Sequence, residues 1–101
     1  MAAVEVEDAL ARHPAVHSAY VVGVAHPTRG ENVAAFVVLY PNQGATADDL
    51  RAFCREQLAS YKVPRHIFLI DEGAVPRTGT GKVEKRALRT VAEARVSGEG
   101  S

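Results

Sequence analysis

The chain has 101 residues, the size of one compact domain, and 47% are apolar, enough for a packed interior and too many for a disordered segment. Its 12 basic and 12 acidic side chains balance, which excludes a general electrostatic pull toward nucleic acid or anionic lipid. Any basic function must therefore be local.

The single cysteine, Cys54, excludes an internal disulfide framework and a cysteine-based zinc site. No apolar run approaches the ~20 residues that cross a bilayer, and the acidic N-terminus lacks the basic and apolar regions of a signal peptide. A reducing cytoplasmic setting is expected, without nucleic acid or membrane as partners.

In chain order, Val6, Ala9, Leu10 and His13 fall at i, i+3, i+4, i+7, predicting an amphipathic helix over 4–13 that Pro14 ends. Residues 16–24 alternate, with Val16, Ser18, Tyr20, Val22 and Val24 on one face and His17, Ala19 and Val21 on the other. Its second half is apolar on both faces, the pattern of a central strand. Ala25–Gly30 reads as a turn, and Val33–Tyr40 as a second strand, antiparallel to the first and closed by Pro41–Gly44.

Thr46-Ala-Asp-Asp49 has the form of a helix start, with Thr46 able to cap and Asp49 able to return the bond. Ala47, Leu50, Phe53, Cys54 and Leu58 then make one apolar stripe. Cys54 lies in that stripe as a small buried hydrophobe. Tyr61-Lys-Val-Pro64 breaks the helix, and Ile67–Ile70 is a short third strand. Residues 71–82 read as loop, and from Val83 onward Val83, Ala87, Leu88 and Val91 have helical spacing. The expected fold is a small α+β domain, a three-stranded sheet packed by helices in the order α-β-β-α-β-α, over residues 4–95. Residues 96–101, with the linker-like Ser97-Gly-Glu-Gly-Ser101, read as a disordered tail.

The stretch that carries chemistry is Val75-Pro-Arg-Thr-Gly-Thr-Gly-Lys-Val-Glu-Lys-Arg-Ala-Leu88. Gly79 and Gly81 flank Thr80, and Lys82 follows at the mouth of the predicted last helix. A loop this rich in glycine approaches a partner closely, and Lys82 becomes a point charge on a long stem. It is not a P-loop, because Pro76 stands where the first glycine belongs and Val83 where Ser or Thr belongs. A dinucleotide fingerprint fails as well, since Glu84 takes the third glycine's place. The four histidines show no ligand spacing.

This segment resembles the end of the C-terminal domain of adenylate-forming ligases: acyl-CoA synthetases, aryl-CoA ligases, luciferases and nonribosomal adenylation domains. Pro76, Gly81-Lys82, Lys85, Arg86 and Leu88 match their Pro-x(4)-Gly-Lys-x-x-(Lys/Arg)-(Lys/Arg)-x-Leu pattern. Val4-Glu-Val-Glu-Asp-Ala-Leu10, His13-Pro-Ala-Val16, Val21-Val-Gly-Val24 with Gly30-Glu31, and Leu58-Ala-Ser-Tyr-Lys-Val-Pro64 match further segments in order. His26 departs from the Asp usual at its position.

The resemblance implies that Lys82 is the lysine that bridges carboxylate and ATP α-phosphate during adenylation, carried by Gly79, Thr80 and Gly81. It implies Tyr61, Lys62 and Arg65 as contacts to CoA, and no metal ligand in this chain. ATP, Mg2+ and CoA would be held mainly by a large N-terminal domain of the same enzyme. That domain and its hinge are absent, so the chain is expected to be inactive alone and to bind no cofactor tightly. The alternatives are a nonribosomal adenylation subdomain that passes its acyl group to a carrier protein, and a free-standing, non-catalytic module that binds a partner. Tyr61-Lys-Val-Pro64 favours the CoA ligases.

Overall fold

The computed structural model describes residues 3–26 and 30–98. Its elements are α1 (Ala3–Ala11), β1 (Val16–His26), β2 (Gly30–Leu39), α2 (Ala47–Arg55), β3 (His66–Leu69) and α3 (Lys85–Gly98), with single 3₁₀ turns at Ser60–Lys62 and Glu72–Ala74. The expected order is borne out. Of the turn expected at Ala25–Gly30, Ala25, His26 and Gly30 are strand instead, because β1 and β2 pair to their ends, and 27–29 lie outside the described residues, as do the side chains of His26 and Glu31 and the tail residues 99–101.

β1 and β2 pair antiparallel, and β3 joins β2 in parallel, so the strand order is β1-β2-β3. A parallel neighbour needs a crossover, and α2 supplies it. The central strand is therefore β2, not β1 as the apolar pattern predicted. Residues 32–38 are buried without interruption, since β2 is covered on both faces and paired on both edges. β1 imitates that pattern because helices cover both of its faces although it lies at the sheet edge.

Two cores result. Val6, Leu10, Val21, Val37, Leu50, Cys54 and Ile67 meet on the α1/α2 side. Val22, Val24, Ala34, Phe36, Leu88 and Ala92 meet on the α3 side. Each fully buried Val, Leu or Phe in these layers contributes about 1.5–3 kcal/mol. Val16 belongs to the first cluster with Val21, on the face opposite to that predicted. The register slips between Val16 and Ser18, and this bulge at His17 moves everything before it to the other side.

α2 starts where its sequence signal places it but ends at Arg55, before the break expected at Tyr61. Asp49 N donates to Thr46 Oγ1 at 3.1 Å, and Thr46 N donates to Asp49 Oδ2 at 3.0 Å, a complete capping box. Cys54 is a buried free thiol, and burial pushes its pKa up, as suits packing rather than reaction. α1 ends at Ala11, two residues before the predicted His13, whose Nδ1 accepts the Ala15 amide at 3.1 Å.

α3 differs more. It begins at Lys85, because Val83 is held in an antiparallel bridge with Arg77. Its buried stripe is Leu88 and Ala92, with Val96 packed beside them, while Val91 faces out at 40% exposed. Residues 96–98 of the expected tail are helical instead, because the packing of Val96 continues α3 to Gly98. Among the described residues no helix is long and apolar enough to cross a membrane.

Candidate functional site

Val75 is buried, and from this anchor the chain leaves the body as Pro76–Val83. The loop closes on itself. Glu84 N donates to Pro76 O at 2.9 Å, Thr78 N to Lys82 O at 2.8 Å, and Gly81 N to Thr78 O at 2.9 Å. Lys82 N donates to Thr78 Oγ1 at 3.2 Å, and the Thr78 and Thr80 hydroxyls lie 2.9 Å apart. Gly81 has φ 86, a conformation that a side chain disfavours, whereas Gly79 simply leaves its surroundings open. The segment read as a flexible glycine arm is thus a hydrogen-bonded hairpin, and Lys82 stands on it, three residues before α3 instead of at the helix mouth.

Sequence reasoning missed the brace of this hairpin. Arg77 Nη2 donates to Glu72 Oε1 at 2.7 Å and lies 3.5 Å from the Tyr20 hydroxyl, while Nη1 donates to Gly81 O at 3.2 Å. The Glu72 carboxylate, and secondarily the Tyr20 hydroxyl, hold the guanidinium above its already high ordinary pKa. Nothing local marks Glu72 or Tyr20 as its partners, since Tyr20 lies 57 residues away in sequence.

The chain has three lysines, Lys62, Lys82 and Lys85. Lys62 Nζ binds Glu5 Oε2 at 2.8 Å, and Lys85 Nζ binds Glu7 Oε2. Lys82 Nζ has no hydrogen-bond or ion-pair partner among the described residues, and the side chain is exposed. It borders an open recess of about 490 Å³ with Thr78, Glu84, Lys85, Arg86 and Thr90. The first turn of α3 carries no acid, and Lys82 and Arg86 line the recess beside a single carboxylate, that of Glu84. Among the described residues no group of three or more His, Cys, Asp or Glu side chains could hold a metal ion.

The second predicted group sits elsewhere. Ser60–Lys62 forms a 3₁₀ turn, and Arg65 N donates to Val33 O at 2.9 Å to start β3. Tyr61 is 78% exposed, so its ring is surface and not core. Lys62 Nζ lies 5.6 Å from the centre of that ring, and the bond to Glu5 pushes its pKa up. Arg51 reaches the carbonyls of Pro64 and Arg65, both at 3.4 Å. Arg65 is exposed. Val63 packs on the α1/α2 core and Val83 on the α3 core, so the Tyr61–Arg65 segment and the Lys82 hairpin occupy opposite faces of the sheet.

Residues 5–82 match the family described as AMP-binding enzyme C-terminal domain. The chain belongs to this family. Trans-cinnamate:CoA ligase, peroxisomal, of Petunia hybrida is 39% identical over 93 residues, which are 92% of this chain and 16% of that enzyme. The 2-succinylbenzoate--CoA ligase of Geobacillus kaustophilus is 47% identical over 87 residues, 84% of this chain and 17% of that enzyme. Apo MatB from Rhodopseudomonas palustris shares the fold with a TM-score of 0.86 at 30% identity, over 93% of this chain and 18% of that one. This AMP-binding enzyme C-terminal domain therefore spans about a sixth of the length of the relatives it matches. The expected kinship with adenylate-forming ligases is borne out.

Proposed function

We propose that this chain is the mobile C-terminal domain of an ATP-dependent acyl- or aryl-CoA ligase, and that Lys82 is its adenylation lysine. The observation that carries the reading is the contrast among the three lysines: two are held by glutamates, and the third stands on a braced hairpin with no partner among the described residues. The ligase chemistry comes from the relatives, several of which are CoA ligases by name.

In the first half-reaction a carboxylate oxygen attacks the α-phosphorus of ATP. The bond to the bridging oxygen breaks, and pyrophosphate leaves with its electron pair. Two anions must approach, and charge builds on the phosphoryl oxygens. An ammonium between them offsets both effects, and its flexible stem lets one charge serve several oxygens. Lys82 fits that role once the hairpin enters a neighbouring cleft. ATP, Mg2+ and CoA are assigned mainly to the larger domain, and this chain alone is expected to be inactive. A cytoplasmic setting accords with the free buried thiol.

The second half-reaction, transfer of the acyl group to CoA, is assigned to the opposite face. There Tyr61 offers a ring for stacking, and Lys62 and Arg65 offer charge for phosphates. Two sites on opposite faces require the domain to turn between the half-reactions, which favours a small separate body.

The test is Lys82→Ala in the full-length ligase. Pyrophosphate release should fall by roughly 10²–10³, the loss expected for one electrostatic donor, while thioester formation from supplied acyl-adenylate continues. Unchanged pyrophosphate release would end the proposal.

A further inference from the structure

Lys82 is exposed, and so are Gly79, Thr80 and Gly81 around it. No packing fixes the direction in which this tip points. Gly81, at φ 86, lets the hairpin turn immediately before the lysine. Hydrogen bonds to Thr78 and the packing of Val83 hold the hairpin together, and Arg77 is the side chain that ties its tip to residues outside the hairpin. Arg77 spans the hairpin from inside, with Nη1 on the Gly81 carbonyl at 3.2 Å, the peptide oxygen directly before Lys82. Its Nη2 is fastened at 2.7 Å to Glu72 on the preceding 3₁₀ turn and lies 3.5 Å from Tyr20 Oη on β1. Its main chain bridges Val83 on the other side of the lysine.

We propose that Arg77 is a positioning residue for adenylation: anchored on Glu72, it fixes the Gly81–Lys82 peptide and so aims the Lys82 ammonium. This rests on the reading of Lys82 given above. The planar guanidinium suits the task, because its rigid fork serves a carboxylate, a carbonyl and a hydroxyl at once. A lysine at this position could reach one acceptor but not hold three in fixed relation. Glu72 acts through Arg77. Its second oxygen, Oε2, lies 3.8 Å from His17 Nδ1.

A merely structural role would show differently. Arg77 lies outside both buried clusters and its side chain is 37% exposed, so its removal should loosen the tip without opening the core. The loss should fall on the turnover of one half-reaction and not on ground-state binding.

The experiment uses the full-length ligase with Arg77→Ala, Arg77→Lys, Glu72→Gln and Lys82→Ala. It measures pyrophosphate formation, thioester formation from synthetic acyl-adenylate, and thermal unfolding. Arg77→Ala should lower kcat for adenylation about tenfold or more, since small misplacements of a catalytic group cost that much. KM for ATP, the thioester step and the melting temperature should stay near wild type. Arg77→Lys should recover little, Glu72→Gln should lie between, and combining Glu72→Gln with Arg77→Ala should add nothing to the single loss. Full adenylation in Arg77→Ala beside a crippled Lys82→Ala would overturn this inference and leave the reading of Lys82 intact. Equal loss of both half-reactions with a lowered melting temperature would overturn it in favour of a structural role. Full activity in Lys82→Ala would sink both.

Discussion

Glu7 of α1 and Lys85 of α3 meet across the open edge of β1, where the carboxylate oxygen that binds the lysine also accepts the Val21 amide at 2.8 Å. β1 is an edge strand, and its outward amides would otherwise be unpaired. One side chain thus joins a helix from each layer to the strand between them.

The Glu7 clasp should therefore contribute to stability. Glu7→Ala removes the acceptor from a partly buried amide, and should cost about 1–3 kcal/mol in urea unfolding. Glu7→Gln keeps an acceptor and should cost less. Lys85→Gln should cost at most about 1 kcal/mol, because that ammonium is half exposed and solvent screens the pair. Equal losses in Glu7→Ala and Lys85→Gln would mean that the ion pair matters and the amide bond does not.

Tyr61 lies far out in solvent, so Tyr61→Ala should leave the melting temperature unchanged. If the ring stacks on adenine, the same change should raise KM for CoA roughly tenfold in the full-length ligase, the scale of one lost aromatic–base stack. Steady-state kinetics with varied CoA checks it. An unchanged KM would remove Tyr61 from the acceptor site.

The capping box of α2 makes stability depend on pH in the acid range. The Asp49 carboxyl is held below its ordinary value of 3.8, first by the Thr46 amide and then by the Thr46 hydroxyl. A carboxyl with a lower pKa in the folded state adds stability above its unfolded value, and loses it as pH falls through the folded one. Wild type should therefore exceed Asp49→Asn in unfolding midpoint at neutral pH, and the gap should close below about pH 4. A gap that persisted in acid would assign the cap to neutral hydrogen bonds alone.

Elements with local rules were legible in the sequence. Thr46 and Asp49 announce a helix start through the chemistry of the first turn, and the Leu50–Cys54 stripe gives its buried face. Lys82 stood out because two glycines and an ordered family pattern surround it. What stayed hidden depends on partners distant in the chain. Apolar residues on both faces marked β1 and β2 alike, and only pairing decides which strand is central. One unpaired residue at His17 reversed the face of Val16, and period counting cannot see a bulge. The onset of α3 was misjudged because Val83 has helical spacing yet is claimed by Arg77 across the hairpin. Glu5–Lys62 and Glu7–Lys85 joined segments already noted one by one, with nothing in their spacing to pair them.

The parallel partnership of β3 with β2 has a consequence for how the domain assembles. β1 and β2 are neighbours along the chain and pair antiparallel. β3 reaches β2 only after the whole stretch from Tyr40 to Arg65 has been closed into a ring around α2. Closing that ring costs entropy before any contact repays it, which delays the step. The last part of the sheet to form is then the one that sets Tyr61–Arg65 in place, after β1 and β2 have paired.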